Sequence, residues 1–333
     1  MDQKTDHARP IRSPHAIWRV FLWIGVGLVL FVLIAYLGLS AYAANAITRP
    51  ARNIDTEKYN PGEYGLEYEE FTFPSREDAV QIAAWYIPSD ENQRVIIMVH
   101  GYNNSRTNGF LDQFVPFANT LHNAGFSVMM IDLRGHGQSG DARFTFGAKE
   151  SRDVLGAVDW LEGRGYQPGK IGVLGYSLGA GSIIGAASQE PDIGAVWSDS
   201  AFADIKSVLE HSWVSMTGLP QVFLYSTEAM VRLMYGYDIA ASRPIDDIAN
   251  IAPRPIFMAH CLKDNLIPIT HMDQLLAMAR NTQTWVIKNC DIHTLSSPPA
   301  NFPEVFNNHA IGYYLNPDEY AQRVIQFFDV NLN

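Results

Sequence analysis

The sequence contains few of the residues that several common classes of protein require. It has only two cysteines, Cys261 and Cys290, which do not form a C-x-x-C pair, and this excludes a disulfide-rich scaffold and a multi-cysteine zinc site. Charged residues make up only 18% of the 333 residues, whereas 47% are apolar, which excludes a disordered tail. Lys and Arg number 24 against 35 Asp and Glu. We therefore expect no nucleic-acid partner, because nucleic-acid-binding proteins carry clustered positive charge.

One long segment near the amino end has no charged residue at all. Residues 20–44 are uncharged and mostly apolar, and as a helix they would extend roughly 37 Å, enough to cross a hydrocarbon core of about 30 Å. We predict a transmembrane signal anchor at 20–44, a cytoplasmic amino end at 1–19 and an extracytoplasmic location for the rest, following the basic residues before the span. The alternative is a signal peptide cleaved at the small residues around 41–43.

The remaining residues divide into a polar tether at 45–65 and one domain at 66–333, in which we find no internal repeat or flexible linker. Short β-branched runs alternate with amphipathic stretches, which predicts a mostly parallel sheet covered by helices. An apolar insertion at about 205–246 interrupts this pattern and is predicted to form a helical lid. The predicted strands are 67–72, 81–87, 95–100, 127–132, 171–176, 195–199, 255–260 and 284–288, and the predicted helices are 109–124, 148–164, 179–188, 269–279 and 317–331.

A candidate nucleophile lies between a predicted strand and a predicted helix. Gly175, Ser177 and Gly179 form a G-x-S-x-G sequence there, and this context is the one in which the motif places a serine on a sharp strand-to-helix turn. A serine hydroxyl is a weak nucleophile until a neighbouring base accepts its proton. Ser177 therefore predicts a base and an acid elsewhere in the chain.

Two other strands end in loops that carry polar residues. His100 and Gly101 end one strand, so the amide of Tyr102 is predicted to form an oxyanion hole together with the amide of Leu178. We interpret His100 as a residue that fixes this loop. The loop at 132–140 contains Asp132 and His136, but no further ligand at suitable spacing accompanies them, so we expect no metal there. Catalysis by a serine nucleophile requires no metal or organic cofactor either.

These features occur in a familiar order: His-Gly after the third strand, Asp-x-Arg-Gly-His-Gly-x-Ser after the fourth, G-x-S-x-G after the fifth and an acid after the seventh. Together they resemble the α/β-hydrolase superfamily, and more closely the membrane-anchored or secreted bacterial serine hydrolases of the S33 aminopeptidase and lysophospholipase-like branch. The resemblance covers about 66–333. It implies an α/β-hydrolase fold with an eight-stranded, mostly parallel sheet, flanking helices and a small helical lid.

The resemblance also implies that the catalytic acid and base both follow the serine. The sequence around Asp264 is similar to the acid loop of the family, with Asp199 as the alternative acid. His309 resembles the family's base, a histidine shortly before a Pro-x-Glu-Tyr helix start. His293, just after the last predicted strand, remains the alternative base.

This triad predicts a serine hydrolase that cleaves an acyl ester through an acyl-enzyme. The apolar lid favours a lipid-like substrate, and the other expected partner is the membrane. The alternatives are a peptidase or amidase, an acyltransferase, and a noncatalytic membrane-tethered binding protein. Cys261 and Cys290 end adjacent predicted strands, so they form either a disulfide or two buried free thiols.

Overall fold

Eight strands form one sheet in a computed structural model that describes residues 14–52, 54–90, 93–295 and 306–332. The spatial order is β1-β2-β4-β3-β5-β6-β7-β8. Strand β2 is antiparallel to both of its neighbours, and every other pair is parallel. The strands are β1 (Glu69–Pro74), β2 (Gln81–Ile87), β3 (Val95–Val99), β4 (Ser127–Ile131), β5 (Ile171–Tyr176), β6 (Ile193–Asp199), β7 (Ile256–Cys261) and β8 (Thr282–Ile287).

Helices cover both faces of this sheet, so its central strands are buried on both sides. Alternate residues of β3 belong to two separate apolar clusters: Val95 and Ile97 pack on the side of α4 and α5, whereas Ile96 and Met98 pack on the side of α3 and α11. Parallel strands covered on both faces carry continuous apolar runs for this reason. The helices are α1 (Pro14–Ile47), α2 (Gly109–Asp112), α3 (Phe114–Asn123), α4 (Glu150–Gly163), α5 (Leu178–Gln189), α6 (Ile205–Thr217), α7 (Val222–Tyr235), α8 (Pro244–Asp247), α9 (Thr270–Met278), α10 (Gly312–Leu315) and α11 (Pro317–Asn331).

The predicted eight-stranded, mostly parallel sheet is confirmed, and the strand ends differ from the predicted ones by a few residues. One helix prediction is wrong: the stretch at 109–124 contains two helices, α2 and α3. The break has a local cause, since Phe110 and Leu111 have positive φ values of 50° and 55°, a conformation that a continuous right-handed helix excludes.

The predicted lid is a pair of helices, α6 and α7, followed by the short helix α8. The side chain of Asp204 caps α6 by accepting a hydrogen bond from the Ser207 amide at 2.8 Å, and Gly218 ends the helix with a φ of 71°. Trp213 and Leu224 are buried where the two helices pack on the domain. The lid is therefore an ordered part of the fold with its own core contacts.

Helix α1 is longer at both ends than the predicted segment 20–44. Its stretch Ile17–Ile47 is long and apolar enough to cross a membrane, and the most apolar window has a mean hydropathy of 2.7 with none of it buried. The end of the helix differs, because Ser40, Ala44 and the next residue after the helix, Thr48, are fully buried. Ser40 Oγ lies 2.7 Å from Ser226 Oγ of α7, so the end of α1 packs directly on the lid.

The segment predicted to be a tether also contacts the domain. Arg52 donates a hydrogen bond of 2.7 Å to the carbonyl oxygen of Ser139, and the hydroxyl of Tyr59 donates to Asp112 at 2.9 Å. These contacts hold the described part of residues 48–65 along the surface of the domain.

The two cysteines form a disulfide, the first of the two alternatives that the sequence left open. Cys261 is the last residue of β7, and Cys290 lies in the loop after β8, with their Cα atoms 5.6 Å apart. The bond therefore joins the ends of two neighbouring strands at the edge where the candidate catalytic residues lie.

Candidate active site

Ser177 lies on the sharp turn between β5 and α5, with φ 55° and ψ −119°. The two glycines of the motif make this turn sterically possible. A Cβ atom at Gly175 would lie 2.6 Å from the carbonyl oxygen of Gly179, and one at Gly179 would collide with the carbonyl oxygens of Val99 and His100. Only glycine fits at either position, and the turn leaves the serine hydroxyl at the floor of a cavity.

Ser177, His309 and Asp264 form one hydrogen-bonded chain. The distance from Ser177 Oγ to His309 Nε2 is 2.7 Å, and that from His309 Nδ1 to Asp264 Oδ2 is also 2.7 Å. A carboxylate only accepts, so Nδ1–H donates to Asp264 and Nε2 is left to accept from the serine hydroxyl. The structure thus brings together all three residues that the resemblance implied.

The carboxylate of Asp264 is held by its own loop. Its Oδ1 atom accepts hydrogen bonds from the amides of Leu266 at 2.9 Å and Ile267 at 2.8 Å. His260 lies behind it, with Nε2–H donating to the Ile267 carbonyl oxygen at 2.8 Å and lying 3.6 Å from Asp264 Oδ2. Burial lowers the pKa of His260, which favours a neutral ring there. This role of His260 was not predicted from the sequence, where the one available signal is its position four residues before Asp264, near the end of a predicted strand.

The two amides predicted to form an oxyanion hole line the same cavity as Ser177. Leu178 is the first residue of α5, where a helix leaves its N–H groups without intrahelical acceptors. Within the described ranges neither the Leu178 amide nor the Tyr102 amide has a hydrogen-bond acceptor. Both amides are therefore free to bind an oxygen atom of a substrate.

His100 holds the loop that carries Tyr102. The amide of Leu133 donates to His100 Nε2 at 3.0 Å, and Nδ1–H donates to the Gly101 carbonyl oxygen at 2.7 Å. Burial lowers the pKa of His100 to about 4, so the ring is neutral near pH 7. This arrangement matches the structural interpretation of His100.

The two alternative triad members lie apart from this chain of hydrogen bonds. Nε2 of His293 accepts from the side-chain amide of Asn307 at 2.9 Å. Asp199 accepts from the hydroxyls of Tyr320 at 2.8 Å and Ser200 at 2.9 Å. The side chain of neither residue bonds to Ser177 or to His309.

Asp132 and His136 both make contacts within the protein. Asp132 accepts from the amide of Arg106 at 2.7 Å and is ion-paired with its guanidinium group. His136 Nδ1 lies 3.0 Å from the Arg134 carbonyl oxygen. Among the residues that the structure describes, one cluster has the spacing of possible metal ligands. It is acidic and half-buried, and it consists of Glu162 near the end of α4 and of Glu190 and Asp192 just after α5.

The cavity above Ser177 has a volume of about 260 Å³ and a mostly apolar wall. Among its described lining residues, none is an aspartate, glutamate, lysine or arginine. Polar atoms are concentrated near the floor, at Ser177, His309 and the loop that holds Tyr102, Asn103 and Asn104. The apolar lining comes from the lid and from several loops, and it includes Leu111, Phe144, Phe146, Phe202, Val208, Leu209, Met216, Leu266, Phe306 and Ile311.

A family described as X-Pro dipeptidyl-peptidase (S15 family) matches residues 78–297 of this chain. The narrower expectation of the S33 branch is not confirmed. Among curated relatives, the protein YfhR of Escherichia coli (strain K12), itself described as uncharacterized, is 24% identical over 270 residues, which cover 78% of this chain and 84% of YfhR.

Solved structures with the same fold include two enzymes of archaea. The Pyrococcus furiosus esterase Pf2001 has a TM-score of 0.66 and 22% identity, and the match covers 86% of this chain and all of the esterase. The Pyrococcus horikoshii acylaminoacyl peptidase has a TM-score of 0.52 and 17% identity, with 80% of this chain and 42% of the peptidase covered. These matches show that the fold is that of α/β hydrolases.

Proposed function

The chain belongs to the S15 family of α/β-fold hydrolases, and we propose that it is a serine hydrolase that cleaves an acyl ester with Ser177, His309 and Asp264. The observation that carries this proposal is the chain of two 2.7 Å hydrogen bonds that joins these residues at the floor of an apolar cavity.

The reaction begins when Ser177 Oγ attacks the carbonyl carbon of the ester and His309 Nε2 accepts the serine proton. Asp264 holds the imidazole in the tautomer that this step needs and stabilises the imidazolium. The amides of Tyr102 and Leu178 bind the oxyanion, each contributing roughly 3–4 kcal/mol to the barrier reduction. His309 then gives its proton to the departing alkoxide, and the acyl group remains on Ser177.

Water completes the cycle. His309 accepts a proton from the water molecule, whose oxygen attacks the acyl-enzyme, and it returns a proton to Ser177 Oγ as the carboxylic acid leaves. An alcohol in place of water would make the same site an acyltransferase, since either acceptor reacts with the same acyl-enzyme.

The cavity wall supports an ester rather than a dipeptide substrate. A dipeptidyl-peptidase acts at the amino end of a peptide, so its site has to accommodate a charged ammonium group, which is costly to bury without a carboxylate partner. Among the described residues that line the cavity there is no carboxylate. An apolar acyl chain, in contrast, gains free energy from burial against this wall. Both an esterase and an acylaminoacyl peptidase occur among the structural neighbours, so peptide cleavage stays the alternative.

We further propose that α1 is an uncleaved single-pass anchor and that the domain lies outside the cytoplasm. Cleavage after residue 43 would remove Ser40 and its contact with Ser226 of the lid. It would also leave the fully buried Ala44 as the first residue of the mature chain, with a charged amino group in a buried position. The disulfide between Cys261 and Cys290 supports an oxidising compartment. The mass of the protein extracted from membranes tests the uncleaved state.

The enzymatic proposal is tested by the full-length protein with p-nitrophenyl esters from acetate to laurate and with glycyl-prolyl p-nitroanilide. We expect ester hydrolysis that rises beyond butyrate and little cleavage of the anilide. Ser177→Ala and His309→Ala should each lower kcat by a factor of about 10⁶, as expected for members of a triad that act together. His293→Ala is the matched control and should retain activity. Cleavage of the anilide without ester hydrolysis would support the peptidase instead.

A further inference from the structure

Helix α7 of the lid lies alongside α1 and runs in the same direction. The hydroxyl of Tyr36 donates to the carbonyl oxygen of Val222 at 2.9 Å, where α7 begins. Further along, the hydroxyl of Tyr235 at the end of α7 donates to Asn45 Oδ1 at 3.3 Å. Residue numbers therefore increase together in the two helices. The start of α7 points toward the amino end of α1, which is the part proposed to enter the membrane.

The length of α1 fixes the depth of this contact. Its 34 residues extend about 50 Å, well beyond a hydrocarbon core of about 30 Å. A crossing that starts at Val20, the first residue of the uncharged stretch, ends near Leu39 after roughly 30 Å, and Tyr36 lies within one helical turn of that end. Tyrosine is common at this boundary between lipid and water. Val222, which contacts Tyr36, then lies at the bilayer surface.

The segment Val214–Tyr225, which we call the lid tip, has the composition that such a position requires. It contains no Asp, Glu, Lys or Arg. Three of its apolar or aromatic side chains are more than half exposed: Val214 at 54%, Val222 at 58% and Tyr225 at 56%. Exposed apolar groups beside a membrane-spanning helix gain free energy by entering the interfacial layer of the bilayer.

The lid tip is also part of the wall of the cavity. Met216 lies within the tip and lines the cavity, and Val208 and Leu209 continue this lining along α6 toward Ser177. Phe223 of the tip packs against the apolar core, and its ring centroid is 4.8 Å from that of Tyr36. One continuous apolar surface therefore leads from the anchor helix through the lid to the catalytic serine.

We propose that the lid tip lies in the interfacial layer of the bilayer that α1 crosses, and that the substrate is an acyl lipid that enters the cavity from that layer. The position of the tip follows from its contacts with α1, given the proposed anchor, whereas the identity of the substrate rests on the proposed function. The partner is the lipid surface itself.

The position of the tip can be measured without any catalytic assay. The two native cysteines are bonded to each other, so Val222→Cys introduces the only thiol of the full-length chain. We would label it with a nitrobenzoxadiazole fluorophore in phosphatidylcholine vesicles and add nitroxide-labelled lipid. Leu233→Cys is the matched control, because Leu233 is an exposed residue of the same helix, about 16 Å further from the tip.

We expect strong quenching at Val222→Cys and weak quenching at Leu233→Cys. Equally weak quenching at both positions would overturn the proposal, because the tip would then lie in water. Equally strong quenching would overturn it as well, since the whole of α7 would then lie on the membrane.

The route of the substrate is tested by a ratio of two activities. The substrates are methylumbelliferyl oleate dissolved in phosphatidylcholine vesicles and soluble p-nitrophenyl butyrate. Val222→Glu combined with Tyr225→Glu should lower the ratio of vesicle to soluble hydrolysis roughly tenfold or more, because charge opposes insertion in the interfacial layer. Leu233→Glu should leave the ratio unchanged, and an unchanged ratio in both variants would overturn entry from the bilayer.

The two experiments separate failure of this proposal from failure of the proposed function. Quenching at Val222→Cys without hydrolysis of either ester would contradict the enzymatic function and retain the membrane contact. Hydrolysis of the soluble ester without quenching would retain the function and contradict the membrane contact.

Discussion

Two neighbouring strands, β6 and β7, each lead to a buried aspartate, and only one of these carboxylates reaches the imidazole of His309. Asp199 is the last residue of β6, and its oxygens accept hydrogen bonds from two hydroxyl groups. Asp264 lies three residues after β7, and its oxygens accept from two backbone amides and an imidazole. Both carboxylates are buried, so it is their hydrogen-bond partners that distinguish them.

The direction of the side chain separates the two residues. The backbone of Asp199 is very close to the nucleophile, since its carbonyl oxygen accepts the amide hydrogen of Ser177 at 2.8 Å. Its side chain turns instead toward Tyr320 of α11, on the other side of the sheet end. Burial raises the pKa of Asp199 to about 6. A carboxyl group with hydroxyl partners and a raised pKa suits a structural link between the sheet and α11.

The sharpest test of this comparison is to replace each aspartate with asparagine. Asp264→Asn should lower kcat about 10⁴-fold, because the amide no longer holds the imidazole in the required tautomer. Asp199→Asn should change kcat by less than about tenfold, since the side chain that it alters bonds to neither Ser177 nor His309. The hydrolysis of p-nitrophenyl butyrate measures both effects in proteins of matched concentration.

Circular dichroism of both variants is the control for folding. Equal losses of kcat in two folded variants would contradict the assignment of Asp264 as the acid. A loss confined to Asp199→Asn would reverse the roles of the two residues.

The sequence predicted the sheet well because its signals are local. Apolar runs bounded by turn residues predicted all eight strands, and the glycines around Ser177 predicted its sharp turn, which needs only residues close in the chain. The choice between His293 and His309 was different. Both histidines follow the last strand. Which of them reaches Ser177 depends on contacts between residues far apart in sequence, and a local pattern does not reveal such contacts. Only the resemblance to a family favoured His309.

The contact between α1 and the lid had no signal in the sequence. An apolar run of sufficient length predicts a membrane span, but every residue in it is compatible with lipid or with protein. Which face packs on a partner depends on that partner's shape. Small residues such as Ser40 and Ala44 at a spacing of four fit a close helix contact, and only the structure identifies α7 as the helix that they meet. His260 was missed for a similar reason, since its role depends on the fold of the loop after β7.

The disulfide is a second difference between the ends of β6 and β7. Cys261 at the end of β7 is bonded to Cys290 in the loop after β8, on the segment that leads toward His309, whereas the end of β6 has no cysteine. Cys261→Ser combined with Cys290→Ser should lower the free energy of unfolding by about 3–4 kcal/mol, as expected for a closed loop with a sequence separation of 29 residues. It should also lower kcat, since Asp264 and His309 lie on the segments that the bond joins. Urea denaturation followed by fluorescence measures the first effect.

The reduced wild-type protein is the matched comparison for the double variant. Agreement between the two would attribute the change to the bond rather than to the serine side chains. Unchanged stability in both would contradict a stabilising role for the disulfide.

The smallest expected effect concerns the pH dependence of stability at Asp199. In the folded chain Asp199 keeps its proton up to about pH 6, whereas an unfolded chain releases it near the ordinary value of 3.8. Between these pH values the folded state binds more protons at this group, so its contribution to the free energy of unfolding falls as the pH rises. Asp199→Asn removes this dependence. The stability of the variant relative to the wild type should therefore increase from pH 3.8 to pH 6, by at most about 3 kcal/mol.

Urea denaturation of both proteins across this pH range measures the difference. The changed hydrogen bonds to Tyr320 and Ser200 shift the difference in free energy of unfolding by the same amount at every pH. Titration of the carboxyl group makes this difference change with pH. The slope of the difference against pH is therefore the informative quantity. A difference that stays constant with pH would mean that Asp199 is ionised in the folded chain at the same pH as in the unfolded chain. The raised pKa would then no longer distinguish Asp199, and the direction of its side chain toward Tyr320 rather than His309 would be the remaining argument against Asp199 as the acid.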